Sequence, residues 1–129
     1  MNYTGRGYLR IKASSADSAL PIEDAIVRVW GTDEENYGIE YMQTTDEDGL
    51  TDIFRLPAPP RPYSLVPNPK EAPYATYRAE IEKDGYESIS IETLQIFDEI
   101  AGVLPINMVV SGASPYTNGE NDIKNQLKG

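Results

Sequence analysis

Neither histidine nor cysteine occurs among the 129 residues. Those two absences remove most of the chemistry a small protein can use. Serine–histidine and cysteine–histidine nucleophile systems cannot be assembled. Zinc sites, which draw on His or Cys in nearly all cases, are not expected. Disulfides and thiolate chemistry are excluded, which leaves the compartment open. Carboxylate, tyrosine, lysine and serine chemistry remains. With 21 acidic residues, pairs at the spacing used in glycoside hydrolysis arise by chance. A domain this small rarely also forms a deep cleft. The chain is therefore expected to be non-enzymatic, with no catalytic residue.

Metal chemistry has one candidate. Asp46-Glu47-Asp48-Gly49 resembles part of a calcium loop, and Asp33, Glu34 and Glu35 can add carboxylates from a neighbouring loop. An EF-hand loop, however, needs an acid where Thr44 stands and a glutamate where Arg55 stands. A tight turn is the expectation, with no metal site and no cofactor. Binding chemistry offers more. Trp30, with Tyr8 and Ile26 near it, can form a flat aromatic platform for sugar rings or an apolar protein contact.

A second binding feature is the run from Pro57 to Pro73, which carries seven prolines and two P-x-x-P matches. It cannot be a central strand and is expected to be stiff and extended. Leu65 and Tyr74 are expected to pin it to the domain. Arg61 and Tyr63, with Glu34 of the acidic hairpin, are expected to be exposed and in contact with a partner, because a rigid loop loses little freedom on binding. The candidate binding residues are therefore Arg61, Tyr63, Glu34, Trp30 and Tyr8.

The elements that must position these residues read as strands. Period-2 alternation dominates, and no long helical period is evident. In Gly7–Ala13, Leu9, Ile11 and Ala13 share one face; Tyr8, Arg10 and Lys12 share the other. In Ala25–Trp30, Ala25, Val27 and Val29 face the core, leaving Ile26, Arg28 and Trp30 outside. Weaker strands are expected over 39–43 and 50–56. Tyr77, Ala79 and Ile81 point inward. The phase set by Ile89 and Ile91 reverses at Leu94 and Ile96, which predicts a β-bulge near Glu92-Thr93 or a break there. A last strand over 103–110 would point Leu104, Ile106, Met108 and Val110 one way. Short strands separated by turns predict an all-β fold: a two-sheet antiparallel β-sandwich of about seven strands. The sandwich is expected to span 1–110, with 111–129 a flexible tail or linker.

Composition limits the partners. The net charge of −10 repels nucleic-acid phosphates and anionic lipid, so neither nucleic acid nor membrane is expected. No stretch approaches the ~20 apolar residues of a membrane span. Residues 1–7 lack the apolar region of a secretory signal.

Several motifs together resemble a known family. Pro21-Ile22-Glu23-Asp24-Ala25-Ile26-Val27-Arg28-Val29, then Thr45-Asp46-Glu47-Asp48-Gly49, Leu56-Pro57 and Gly85-Tyr86 are similar to carboxypeptidase regulatory-like, transthyretin-like domains. Asp24 departs from the glycine usual there. Leu56-Pro57-Ala58-Pro59-Pro60, Pro73-Tyr74-Ala75-Thr76-Tyr77, Asp84-Gly85-Tyr86 and Leu94-Gln95-Ile96-Phe97 together further resemble the N-terminal domain of clostridial spore cortex-lytic-type proteins, which precedes a peptidoglycan-binding module. The resemblance implies a transthyretin-like or Ig-like sandwich and a non-enzymatic accessory role. The partner would be a protein or an adjacent module, in a cell-wall or spore setting. A carbohydrate-binding module for peptidoglycan or polysaccharide is the alternative.

Overall fold

The computed structural model describes residues 3–15, 19–60 and 73–112. Among them are eight strands and no helix: β1 (Gly5–Ser15), β2 (Leu20–Pro21), β3 (Ile26–Gly31), β4 (Glu40–Thr44), β5 (Phe54–Ala58), β6 (Ala75–Glu82), β7 (Ile89–Ile96) and β8 (Ala101–Asn107). They form two four-stranded sheets. One has β1 at its centre, with β5 and the short β2 on one side and β8 on the other. The other runs β4-β3-β6-β7 and is antiparallel throughout. The all-β sandwich expected from the alternation is the observed fold, with one refinement: β8 pairs with β1 in parallel.

The inner faces are the apolar halves of the alternating strands. Ile11, Val27, Val29, Leu56, Tyr77, Ala79 and Ile81 are wholly buried, and Leu9, Phe54, Ile106 and Met108 nearly so. Burying one such large aliphatic or aromatic side chain contributes roughly 1.5–3 kcal/mol, several times a surface ion pair. The sandwich is therefore held by its interior. The Tyr77 hydroxyl crosses that interior to donate to the Pro57 carbonyl at 2.6 Å, which satisfies a polar group that burial would otherwise leave alone.

The turn motifs have physical reasons. The buried Thr45 hydroxyl accepts from the Ala25 N–H at 2.9 Å and donates to the Ile22 carbonyl at 2.7 Å. Asp46 accepts from the N–H groups of Asp48 and Leu50. Gly49 has φ +79°, and a Cβ there would lie 2.3 Å from the Ala13 carbonyl oxygen. Asp46-Glu47-Asp48-Gly49 is thus a turn that spends its first carboxylate on its own backbone. Asp24 holds φ +62°, the left-handed region that explains why a glycine suits this position.

The β7 phase reversal is a bulge. Between the pairs Tyr77–Leu94 and Ala79–Ile91, one residue of β6 faces two of β7, namely Glu92 and Thr93. Two expectations shift. The fourth strand runs over Phe54–Ala58 rather than 50–56, so Pro57 is inside a strand. The Arg6 N–H is given to the Asp98 carboxylate, and the Arg6 carbonyl accepts from Glu99. Arg6 thus turns its polar groups away from its partner Pro57, and the missing N–H costs the ladder nothing. The last strand ends at Asn107, and Val110 is 54% exposed, bridged to Tyr86 rather than packed in the core. Arg61, Tyr63, Leu65 and residues 113–129 lie outside the described residues.

Candidate functional site

The outer face of the β4-β3-β6-β7 sheet carries the most varied chemistry of the described surface. Trp30 sits opposite Glu40 of β4 and Arg78 of β6. The Arg78 guanidinium carbon lies 5.2 Å from the Trp30 ring centroid, a cation–π contact. The same guanidinium reaches Glu80 at 3.2 Å and Glu92 at 3.5 Å, and Arg28 reaches Glu82 at 3.4 Å. These partly exposed pairs contribute at most about 1 kcal/mol each, so they orient the face more than they hold the fold.

Beside Trp30 opens a groove of about 430 Å³, walled by Tyr37, Gly38 and Ile39 with Arg28, Glu40 and Glu80 at its edges. Tyr37 is 83% exposed. The hairpin that presents it is built rigidly. The Asp33 carboxylate accepts from the N–H groups of Glu35 and Asn36 within the loop. It also accepts from the Thr76 N–H at 3.0 Å and from the Tyr3 hydroxyl at 2.8 Å. Asn36 is fully buried; its amide donates to the Thr76 carbonyl and accepts from the Asp33 N–H. Gly31 allows this closure, since a Cβ there would lie 2.2 Å from the Asn36 carbonyl oxygen. Burial, followed by the Asp33 contact, pushes the Tyr3 phenol above its ordinary value. Burial likewise raises Tyr77. Both tyrosines stay protonated at neutral pH and act as structural donors.

The five candidate residues do not form one site. Trp30 is in the groove, and Glu34 is exposed on the hairpin that forms its wall. Tyr8 is not beside Trp30. It projects from the outer face of the β1-centred sheet, on the opposite side of the sandwich, in a smaller hollow of about 210 Å³ with Ile53 and Val103. Alternation says which side chains point outward but not which sheet they leave, so the platform pairing Tyr8 with Trp30 is overturned. Ile26 does share the Trp30 face. Arg61 and Tyr63 lie outside the described residues. Tyr74, expected to pin the proline-rich run, stacks obliquely on Phe97 with centroids 5.5 Å apart.

Sequence reasoning passed over Tyr37 and Asn36, and took Asp33 only as a candidate calcium ligand where its carboxylate instead holds the hairpin. An aromatic residue before glycine in a polar loop, and an Asp three residues before an Asn, were the available signals. Among the described residues no group of three or more acidic side chains is placed to hold a metal ion. A further hollow, about 470 Å³, lies between Asp24, Ile26 and the turn 82–88, and Tyr86 supplies its one ring.

No family model matches the chain, and no curated protein sequence matches it. Solved structures do. The Bacillus anthracis TIE protein aligns with a TM-score of 0.55 and 14% identity over 82% of this chain and 17% of that one. The 3-chlorocatechol 1,2-dioxygenase of Rhodococcus opacus 1CP gives 0.54 and 17% over 85% and 62%. This chain thus spans less than two thirds of either protein. Transthyretin from Sparus aurata also matches, at 0.43 and 16% over 81% and 97%. At these identities the shared feature is the β fold, and the first two carry that statement.

Proposed function

We propose that this domain is a non-catalytic interaction module whose recognition surface is the outer face of β4, β3 and β6 around Trp30. The observation that carries the reading is the groove between Trp30 and Tyr37, presented by a hairpin locked through Asp33 and Asn36. A surface already held in one shape loses little entropy when a partner arrives. Mixed aromatic, cationic and anionic lining suits recognition of a polar partner with an apolar face. The resemblance to accessory domains of spore cortex-lytic-type proteins supports a protein partner or adjacent module in a cell-wall setting. The same ring pair favours a second reading, a saccharide stacked on Trp30.

Trp30 is the sole tryptophan of the chain, so its fluorescence reports directly on the groove. Titration with soluble peptidoglycan fragments and with polysaccharides tests the second reading: saturable quenching supports it, and an unchanged spectrum removes it. Prolonged incubation with the same polymers should release no product. Turnover abolished by one Asp or Glu substitution would falsify the non-enzyme reading.

A further inference from the structure

The described sheets end in several strand edges, and all but one are interrupted. On β5 an outward position is filled by Pro57, whose carbonyl is taken by Tyr77. On β8, the bonds from Tyr8 to Ile100 and from Met108 to Ser14 show that even-numbered residues face β1, so Pro105 turns its missing donor outward. β7 carries the bulge at Glu92-Thr93, and β2 has two residues. Prolines, bulges and shortness are the usual defences of an exposed edge.

β4 has none of them. The bonds from Gly31 to Ile39 and from Thr45 to Ala25 fix the odd-numbered residues as those bonded to β3. By antiparallel alternation, Glu40, Met42 and Thr44 turn their N–H and C=O groups outward. Among the described residues no backbone group pairs with them. The side chains of these three residues also lie on the Trp30 face, and Met42 is 61% exposed.

Charge guards this edge instead. Between residues 33 and 48 stand seven carboxylates and no lysine or arginine. They are placed in the hairpin before β4, on Glu40, and in the turn after it. A second copy pairing antiparallel through β4 would set the 33–35 loop of each molecule against the 46–48 turn of the other, acid against acid. The same charges attract a cationic strand.

Resting on the reading of this face as a recognition surface, we infer that the β4 edge docks an extended, basic segment of a partner protein by strand addition. The segment bonds to the backbone of Glu40, Met42 and Thr44 and sets a lysine or arginine across from Glu40. Backbone bonding supplies affinity, and the acidic frame supplies selection by charge.

The test uses the whole chain and a blocked ten-residue peptide of alternating lysine and threonine. Binding should be saturable and should weaken several-fold as salt rises from low to physiological levels. Amide exchange at Glu40, Met42 and Thr44 should slow on peptide addition. The same peptide with glutamate for lysine should not bind. Met42→Pro removes one outward N–H and leaves the β3 ladder intact, and should weaken binding at least fivefold; Glu40→Lys should do so without touching the backbone. Peptide binding without amide protection would reduce the edge to a charged patch and overturn the inference. Equal binding of the glutamate peptide, or amide protection that grows with protein concentration alone, would also overturn it. Quenching of Trp30 by a saccharide with no peptide binding would sink strand addition and leave the module reading standing.

Discussion

The two faces of β3 differ as completely as one strand allows. Val27 and Val29 are buried in the core between the sheets, and Gly31 is buried against Asn36 of the hairpin. Ile26, Arg28 and Trp30, alternating with them, are half-exposed and meet charged neighbours. The inner face contributes stability through apolar burial; the outer face contributes specific chemistry with little stabilisation. The domain thus separates what holds it together from what it presents, and the outer face can vary without threatening the fold.

The largest expected effect breaks the inner face. Val27→Asp buries an uncompensated charge, and the loss of about 3–5 kcal/mol plus the lost apolar contact approaches a domain's whole stability. Circular dichroism should show an unfolded chain. A folded variant with a normal melting temperature would mean that the interior is not what holds the sandwich.

Next comes the polar seam beneath that face. Thr45→Val keeps the volume but leaves the Ala25 N–H and the Ile22 carbonyl without their partner. At 1–3 kcal/mol for each unsatisfied group, the loss should be about 3 kcal/mol in urea unfolding.

A smaller effect appears at alkaline pH. Burial raises the Tyr77 phenol above its ordinary value of 10.0. The protonated phenol is favoured in the folded state, so its contribution is intact below about pH 10 and is lost as pH rises from there toward the folded value. One such group gives a slope of about 1.4 kcal/mol per pH unit across that window. Tyr77→Phe should cost about 1 kcal/mol at neutral pH, through the bond to Pro57, and should flatten that slope. Melting temperatures from pH 8 to 12 check both.

The smallest stability change should come from the outer face. Trp30→Ala removes the contact with Arg78 and should cost about 1 kcal/mol, a few degrees in melting temperature. A loss matching that of Val27→Asp would show that the two faces are not separate after all.

The sequence made one half of this comparison legible. Strict alternation in β1, β3 and β6 identified the buried residues, and the phase reversal after Ile91 located the bulge, because both are local properties of the backbone. Pairing partners are not local. Nothing near Tyr8 says that it leaves the sheet opposite Trp30, and nothing near Val103 says that β8 lies parallel to β1. Pro57 hid how far the fourth strand runs, because the condition that admits it, an outward-turned position, shows only in its pairing with Arg6. In the hairpin, Asp33 and Asn36 look like solvated loop residues until Thr76, forty or more positions on, appears beside them.

The parallel ladder of β1 and β8, Tyr8–Ser14 against Ala101–Asn107, also has a mechanical meaning. Tension applied between the leading end of β1 and the trailing end of β8 runs along the ladder rather than across it. Its hydrogen bonds then share the load in shear, where an antiparallel terminal pair would peel open one rung at a time. Under such a pull the ladder should transmit force through its length and yield abruptly, as a link under tension does, rather than stretch gradually.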